Sequence, residues 1–222
     1  MTIISSAVKR SIPGIYPILD AQWLNAKDSF SPAKIKQVAV AIAAADISVL
    51  QLRCKATGLA AYEFIDTWLP TLREHCKNTA IIINDRVDLA LYFEADGVHV
   101  GQDDLPPHLC RKLLGAKSII GLSTHSLTEI RNATDTTVDY IGFGPIFPTT
   151  SKTDTKAIQG VKALAAAQKA TSLPIVAIGG IGIEQIPEIK KTKTAAAAMI
   201  SGLWDEQIEP QFNTATSIWL NN

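Results

Sequence analysis

Short apolar runs rich in β-branched residues alternate along this chain with longer segments whose apolar positions recur every three or four residues. The short runs fall at Ile15–Leu19, Val49–Arg53, Ala80–Asn84, Gly97–Val100, Ser118–Leu122, Tyr140–Phe143, Pro174–Ile178 and Ala196–Ile200, and they predict strands. The longer segments predict helices over Ala33–Ala45, Tyr62–His75, Val87–Phe93, Pro107–Leu114, Leu127–Ala133, Gln159–Ala170, Ile183–Lys190 and Gln211–Leu220. Ser31 before Pro32 marks a helix start, because the serine hydroxyl caps and the proline φ suits the first turn. Alternating strands and helices imply a parallel sheet, since parallel neighbours need crossover connections. Eight units at a spacing of about 25 residues match a closed (β/α)8 TIM barrel. The competing open, doubly wound sheet needs a Gly-x-Gly-x-x-Gly turn after its first strand, and Ile18–Leu19–Asp20 stands there instead. No low-complexity linker interrupts the pattern, so one barrel domain over residues 1–222 is expected, with residues 1–10 as a loose extension.

Composition narrows the classes of function. Of 222 residues, 47% are hydrophobic and 19% charged, which excludes a disordered chain. Twenty-one basic and 21 acidic residues cancel, which argues against a broad electrostatic grip on nucleic acid or an anionic membrane. A small basic pocket for an anionic metabolite remains open. Cys54, Cys76 and Cys110 have neither metal-ligand spacing nor an even number, so they read as reduced thiols. The Met1–Arg10 start lacks a signal-peptide pattern, and no apolar run reaches the length of a membrane span. A cytoplasmic protein acting on small molecules is expected.

Candidate chemistry gathers where strands end, the catalytic end of such a barrel. In Gln51–Leu52–Arg53–Cys54–Lys55, alternation turns Gln51, Arg53 and Lys55 to the barrel mouth and leaves Leu52 facing the helices. Buried cations call for an anion, either a ligand or a carboxylate on another strand. Asp85 and Asp104 follow adjacent strands, and two carboxylates beside cations suit Mg²⁺ completed by phosphate oxygens. The alternative has one Asp capping a helix and the other pairing with Arg53. His99 is expected to be a hydrogen-bonded interior residue. Ser123 reads as a ligand-facing hydroxyl, Ser126 as a cap and His125 as a less favoured base. The run Gly142–Lys152 suits a phosphate clamp, and Ser151–Gln159 is long enough for a lid. Gly179–Gly180 after the seventh strand and Ser201 after the eighth sit at the common barrel phosphate site.

Together these pieces, from Gly14–Ile15–Tyr16–Pro17–Ile18–Leu19–Asp20 to Ile200–Ser201, resemble the thiamine-phosphate synthase (thiamine-phosphate pyrophosphorylase) family over roughly residues 14–202. The resemblance implies a (β/α)8 transferase that joins hydroxymethylpyrimidine diphosphate to hydroxyethylthiazole phosphate, with Mg²⁺ as cofactor. It implies that Gln51, Arg53, Lys55 and Asn84 hold the pyrimidine diphosphate, with Leu52 and Cys54 in the same segment, and that Asp85 and Asp104 bind the metal. It carries Ser123 and Lys152 to the same substrate, and Thr149, Thr150, Ser151, Gly180, Ile200 and Ser201 to the thiazole phosphate. Arg53, Lys55, Ser123 and Lys152 are the implied catalytic set. Departures are small: Cys54 stands where many relatives are acidic, Leu19 where many have Thr, and Ser151 replaces Thr. Two other readings are a thiazole tautomerase-like isomerase using His125 and a non-catalytic phosphometabolite-binding barrel. The stretch Gly144–Thr149 argues against the first, and the intact charged set against the second. Whether the chain forms a homo-oligomer is left open.

Overall fold

A computed structural model describes residues 12–25, 31–56, 58–134, 137–149, 157–204 and 207–221. Its strands are β1 (Gly14–Asp20), β2 (Val49–Arg53), β3 (Ala80–Asn84), β4 (Gly97–Val100), β5 (Ile119–Thr124), β6 (Tyr140–Phe143), β7 (Ile175–Ile178) and β8 (Ala196–Met199). They pair in chain order, all parallel, and β8 returns to β1, so the sheet closes as expected. The proposed loose extension, residues 1–10, lies outside the described residues.

The helices are α1 (Ala21–Asn25), α2 (Pro32–Ala44), α3 (Leu59–His75), α4 (Val87–Tyr92), α5 (Pro107–Leu114), α6 (Leu127–Thr134), α7 (Gly160–Ala170), α8 (Ile186–Lys191) and α9 (Ile208–Leu220). Ser31 caps α2, its hydroxyl accepting from the Lys34 amide at 3.2 Å. Three differences from the sequence pattern have local causes. The five residues of α1 are too few to show a period. The helix expected over Ile183–Lys190 is a 3-10 turn, Ile183–Gln185, followed by α8. There the Ile186 amide bonds the Ile183 carbonyl, and Pro187 has no N–H to extend an α-helical ladder back to it. Helix α9 begins before Pro210 rather than after it, because proline is tolerated in a first turn.

Period-two alternation divides the core into two layers. Leu50, Leu52, Ile81, Ile83, Val98 and Val100 face outward and pack with the helices. Tyr16, Ile18, Val49, Ile82, Tyr140 and Val176 fill the barrel interior. The N-terminal ends of the strands are tied by a device that occurs twice. Asp96, just before β4, accepts from the Ile81 amide and from Arg73 of α3, both at 2.8 Å. Asp139, just before β6, accepts from the Ile120 amide at 2.8 Å and from Arg111 of α5 at 2.7 Å. At the opposite end the strands open into a cavity.

Candidate active site

The cavity at the C-terminal ends of the strands measures about 670 Å³. Its floor is made of strand residues and its walls of the loops that follow. On β2, Gln51 and Arg53 point inward, as alternation requires, and both are buried. Arg53 forms an ion pair with Asp20 of β1, which stands opposite it in the strand register. The internal carboxylate is therefore Asp20, and neither Asp85 nor Asp104 is paired with Arg53. Arg53 still lines the cavity. Lys55 lies beyond the strand end and reaches Asp85 at 2.5 Å. Leu52 is buried in the outer core and Cys54 packs against it, so these two side chains are not brought to the cavity.

Asn84, the last residue of β3, lines the floor with a buried side-chain Nδ2 that has no partner among the described residues. A buried amide donor without an acceptor is rare and points to a ligand atom at this place. The next residue, Asp85, adopts a left-handed backbone with φ 59° while its amide donates to the His99 carbonyl at 2.8 Å. Non-glycine residues held in this region cluster at functional sites. Burial raises the pKa of the Asp85 carboxyl; Lys55 opposes the rise and the charge of nearby Asp104 adds to it. Asp104 also accepts from the Gly101 amide at 2.7 Å, which holds the loop after β4.

Ser123 of β5 stands on the floor, its Oγ 2.9 Å from His99 Nε2. The interior hydrogen-bonded His99 expected from the sequence is thus present. Ser126 accepts from the Glu129 amide at 3.2 Å, the expected cap. Glu129 in turn accepts from the His125 amide at 2.7 Å and lies 3.2 Å from His125 Nδ1.

The loops after β6 and β7 are laced together: the Ile146 amide donates to Ile178 at 2.9 Å and the Phe147 amide to Gly179 at 3.0 Å. Gly180, at φ 62°, approaches Pro148 so closely that a Cβ there would sit 2.2 Å from the Pro148 carbonyl oxygen. Its glycine therefore serves loop packing as well as the cavity it lines. Thr149, Ile200 and Ser201 line the same wall. Thr150, Ser151 and Lys152, and most of the expected lid, lie outside the described residues.

The cavity also includes Gln22 of α1, Gln102, Thr124 and Glu129, which the sequence pattern did not single out. Gln102 donates to the Ser123 carbonyl at 2.6 Å. Its place beside Asp103 and Asp104 was the available signal; Gln22 had none, since α1 has no detectable period.

A closed parallel barrel with its polar cavity at the carboxyl ends of the strands is the architecture of the (β/α)8 enzymes. Within that class, the chain belongs to the thiamine monophosphate synthase family, whose model matches residues 15–203. It is 40% identical over 178 residues to a thiamine-phosphate synthase of Syntrophomonas wolfei, covering 79% of this chain and 84% of the relative. A thiamine-phosphate synthase of Vibrio campbellii is 38% identical over 183 residues, covering 82% and 88%. Among solved structures, a thiamine phosphate pyrophosphorylase from Pyrococcus furiosus superposes with a TM-score of 0.77 at 27% identity, covering 96% of this chain and 97% of that one.

Proposed function

We propose that the protein joins hydroxymethylpyrimidine diphosphate to hydroxyethylthiazole phosphate, giving thiamine phosphate and pyrophosphate. The observation that carries this reading is the layering of the cavity. Lys55, Asp85 and Asp104 stand on the rim loops, above a floor where Asn84 and Ser123 offer neutral polar groups and the Arg53 charge is paired with Asp20. That arrangement suits a substrate with a polar ring at one end and a diphosphate at the other.

Among the described residues no three His, Cys, Asp or Glu side chains converge on a metal position. Asp85 and Asp104 are close enough for the charge of one to raise the pKa of the other. Such a pair fits Mg²⁺, which takes few protein ligands and completes its shell from water and phosphate oxygens. When bound there, Mg²⁺ supplies positive charge against the pyrophosphate as it leaves.

The remaining chemistry falls to the chain's own residues. The methylene C–O bond breaks and its electron pair leaves with pyrophosphate, beside Lys55 and Arg53. Lys152 adds a third cation on this reading. The electron-rich aminopyrimidine carries the methylene cation, and the thiazole nitrogen lone pair forms the new C–N bond. No enzyme nucleophile is needed, and the laced loops after β6 and β7 form the wall for the thiazole phosphate with Thr149, Gly180, Ile200 and Ser201. The same reading assigns Thr150 and Ser151, outside the described residues, to this phosphate. A cytoplasmic location suits such a substrate pair; no helix among the described residues is long and apolar enough to cross a membrane.

The test is direct. Purified protein with both substrates and Mg²⁺ should release thiamine phosphate and pyrophosphate in equal amounts, and excess chelator should stop it. Consumption of neither substrate would overturn the proposal.

A further inference from the structure

Beneath the cavity, a hydrogen-bonded chain of five side chains crosses the barrel interior. Gln51 Nε2 on β2 lies 3.0 Å from the Tyr16 hydroxyl on β1. The Tyr16 and Tyr140 hydroxyls are 2.8 Å apart. Tyr140 on β6 is 2.9 Å from His99 Nδ1 on β4, and His99 Nε2 is 2.9 Å from Ser123 Oγ on β5. Tyr16, Gln51 and Tyr140 are buried. Glycine makes the path possible: a Cβ at Gly121 would sit 2.2 Å from Tyr140 Cζ and 2.4 Å from His99 Nδ1.

Each hydroxyl carries one proton, and this gives the chain a direction. Gln51 Nε2 is a donor and no acceptor. Tyr16 accepts that bond, so its own proton goes to the other hydroxyl within reach, that of Tyr140. Burial pushes both phenols far above their ordinary pKa, so both stay protonated. Tyr140 then gives its proton to His99 Nδ1. A neutral imidazole that accepts at Nδ1 bears its proton on Nε2, and that proton goes to Ser123 Oγ. The Ser123 proton is left over, at the floor of the cavity.

We propose that Tyr16, Tyr140 and His99 are positioning residues that make Ser123 a hydrogen-bond donor to an acceptor nitrogen of the substrate's pyrimidine ring. The proposal rests on the reading that this cavity binds the pyrimidine diphosphate with Ser123 at its ring. The ring belongs on the floor because Lys55, Asp85 and Asp104 occupy the rim, where a diphosphate meets opposite charge or metal. The chain thereby leaves Ser123 a proton to donate and favours a ring that presents a lone pair there.

Nitrogen NMR of labelled protein reads the chain without substrate. His99 should be neutral with its proton on Nε2; a wild-type proton on Nδ1 would overturn the proposal. In Tyr140→Phe the Nδ1 site loses its donor, and the Nδ1–H tautomer should appear. Tyr16→Phe leaves the Tyr140 donor in place, so there the wild-type tautomer should persist. Tyr140→Phe should raise the KM for pyrimidine diphosphate about tenfold, the scale of one hydrogen bond, with the thiazole phosphate KM within about twofold. The Tyr140→Phe/Ser123→Ala double variant should be no worse than Ser123→Ala alone. Additive losses, or an unchanged tautomer in Tyr140→Phe, would overturn the relay. If Ser123→Ala left the pyrimidine diphosphate KM unchanged while the tautomers behaved as expected, the placement of the substrate at Ser123 would fail, and the proposal with it.

Discussion

Asp85 shows how one residue sets function against stability. It ends an apolar strand, turns through a left-handed backbone and presents a carboxylate to Lys55 and Asp104. Its pKa is raised, chiefly by burial, so folding disfavours the ionised form. At neutral pH the group therefore subtracts stability from the metal-free protein. The subtraction fades as pH falls through the folded-state value and is gone below the ordinary 3.8, where the carboxyl is protonated in both states. Asp85→Asn removes the charge and leaves Lys55 46% exposed side chain in contact with water, so the lost ion pair costs little. In chelator, this variant should melt no lower than wild type at neutral pH. With Mg²⁺ its turnover should fall about 100-fold or more, the scale of losing one charge-stabilising group. A lower melting temperature with full turnover would show that Asp85 is only a structural partner of Lys55.

At the scale of elements, the loops after β6 and β7 act as one unit. The sequence reading gave Gly180 to backbone approach by a phosphate. The structure adds that the two loops could not lace together with a side chain there. Gly180→Ala should therefore lower stability by about 1–3 kcal/mol from backbone strain and crowding, and also raise the KM for thiazole phosphate. Gly58 offers the comparison: its φ is 67°, yet an added Cβ meets nothing within 4 Å. Gly58→Ala should show the strain alone, with both KM values unchanged. Thermal melts and initial rates on the two variants separate the effects. Equal destabilisation and equal KM values would remove the role given to the loop contact.

Across the whole molecule, the barrel assigns its two ends different work. The carboxyl ends carry the cavity, and the amino ends carry the Asp96 and Asp139 ties. Asp139→Ala leaves the Ile120 amide and the Arg111 guanidinium without that acceptor. The loss should be about 1–3 kcal/mol, the range for a buried group left unsatisfied. In a chain of this size that lowers the melting temperature by roughly 2–4 °C per kcal/mol. The kcat/KM for both substrates should stay within twofold, because none of the residues of this tie is among the described residues that line the cavity. A large fall in kcat/KM without a change in melting would mean that the two ends are coupled.

The sequence by itself determined which way most side chains point. Period two along the strands put Gln51 and Arg53 inside and Leu50 and Leu52 outside, and eight such units implied closure. It also marked Asp85, Asp104, Ser123 and the Gly179–Gly180 pair by their places at strand ends. What it left undecided was who meets whom. Arg53 belongs to Asp20 because the register of β1 against β2 sets them side by side, and Lys55 belongs to Asp85 across the next gap. Tyr16 and Tyr140 lie 124 positions apart, and their hydroxyls meet only because the sheet closes around them. Local alternation is a property of a few neighbouring residues and can be read from their order. A buried contact between strands depends on register, closure and the glycines that make room, and these exist only once the whole barrel has formed.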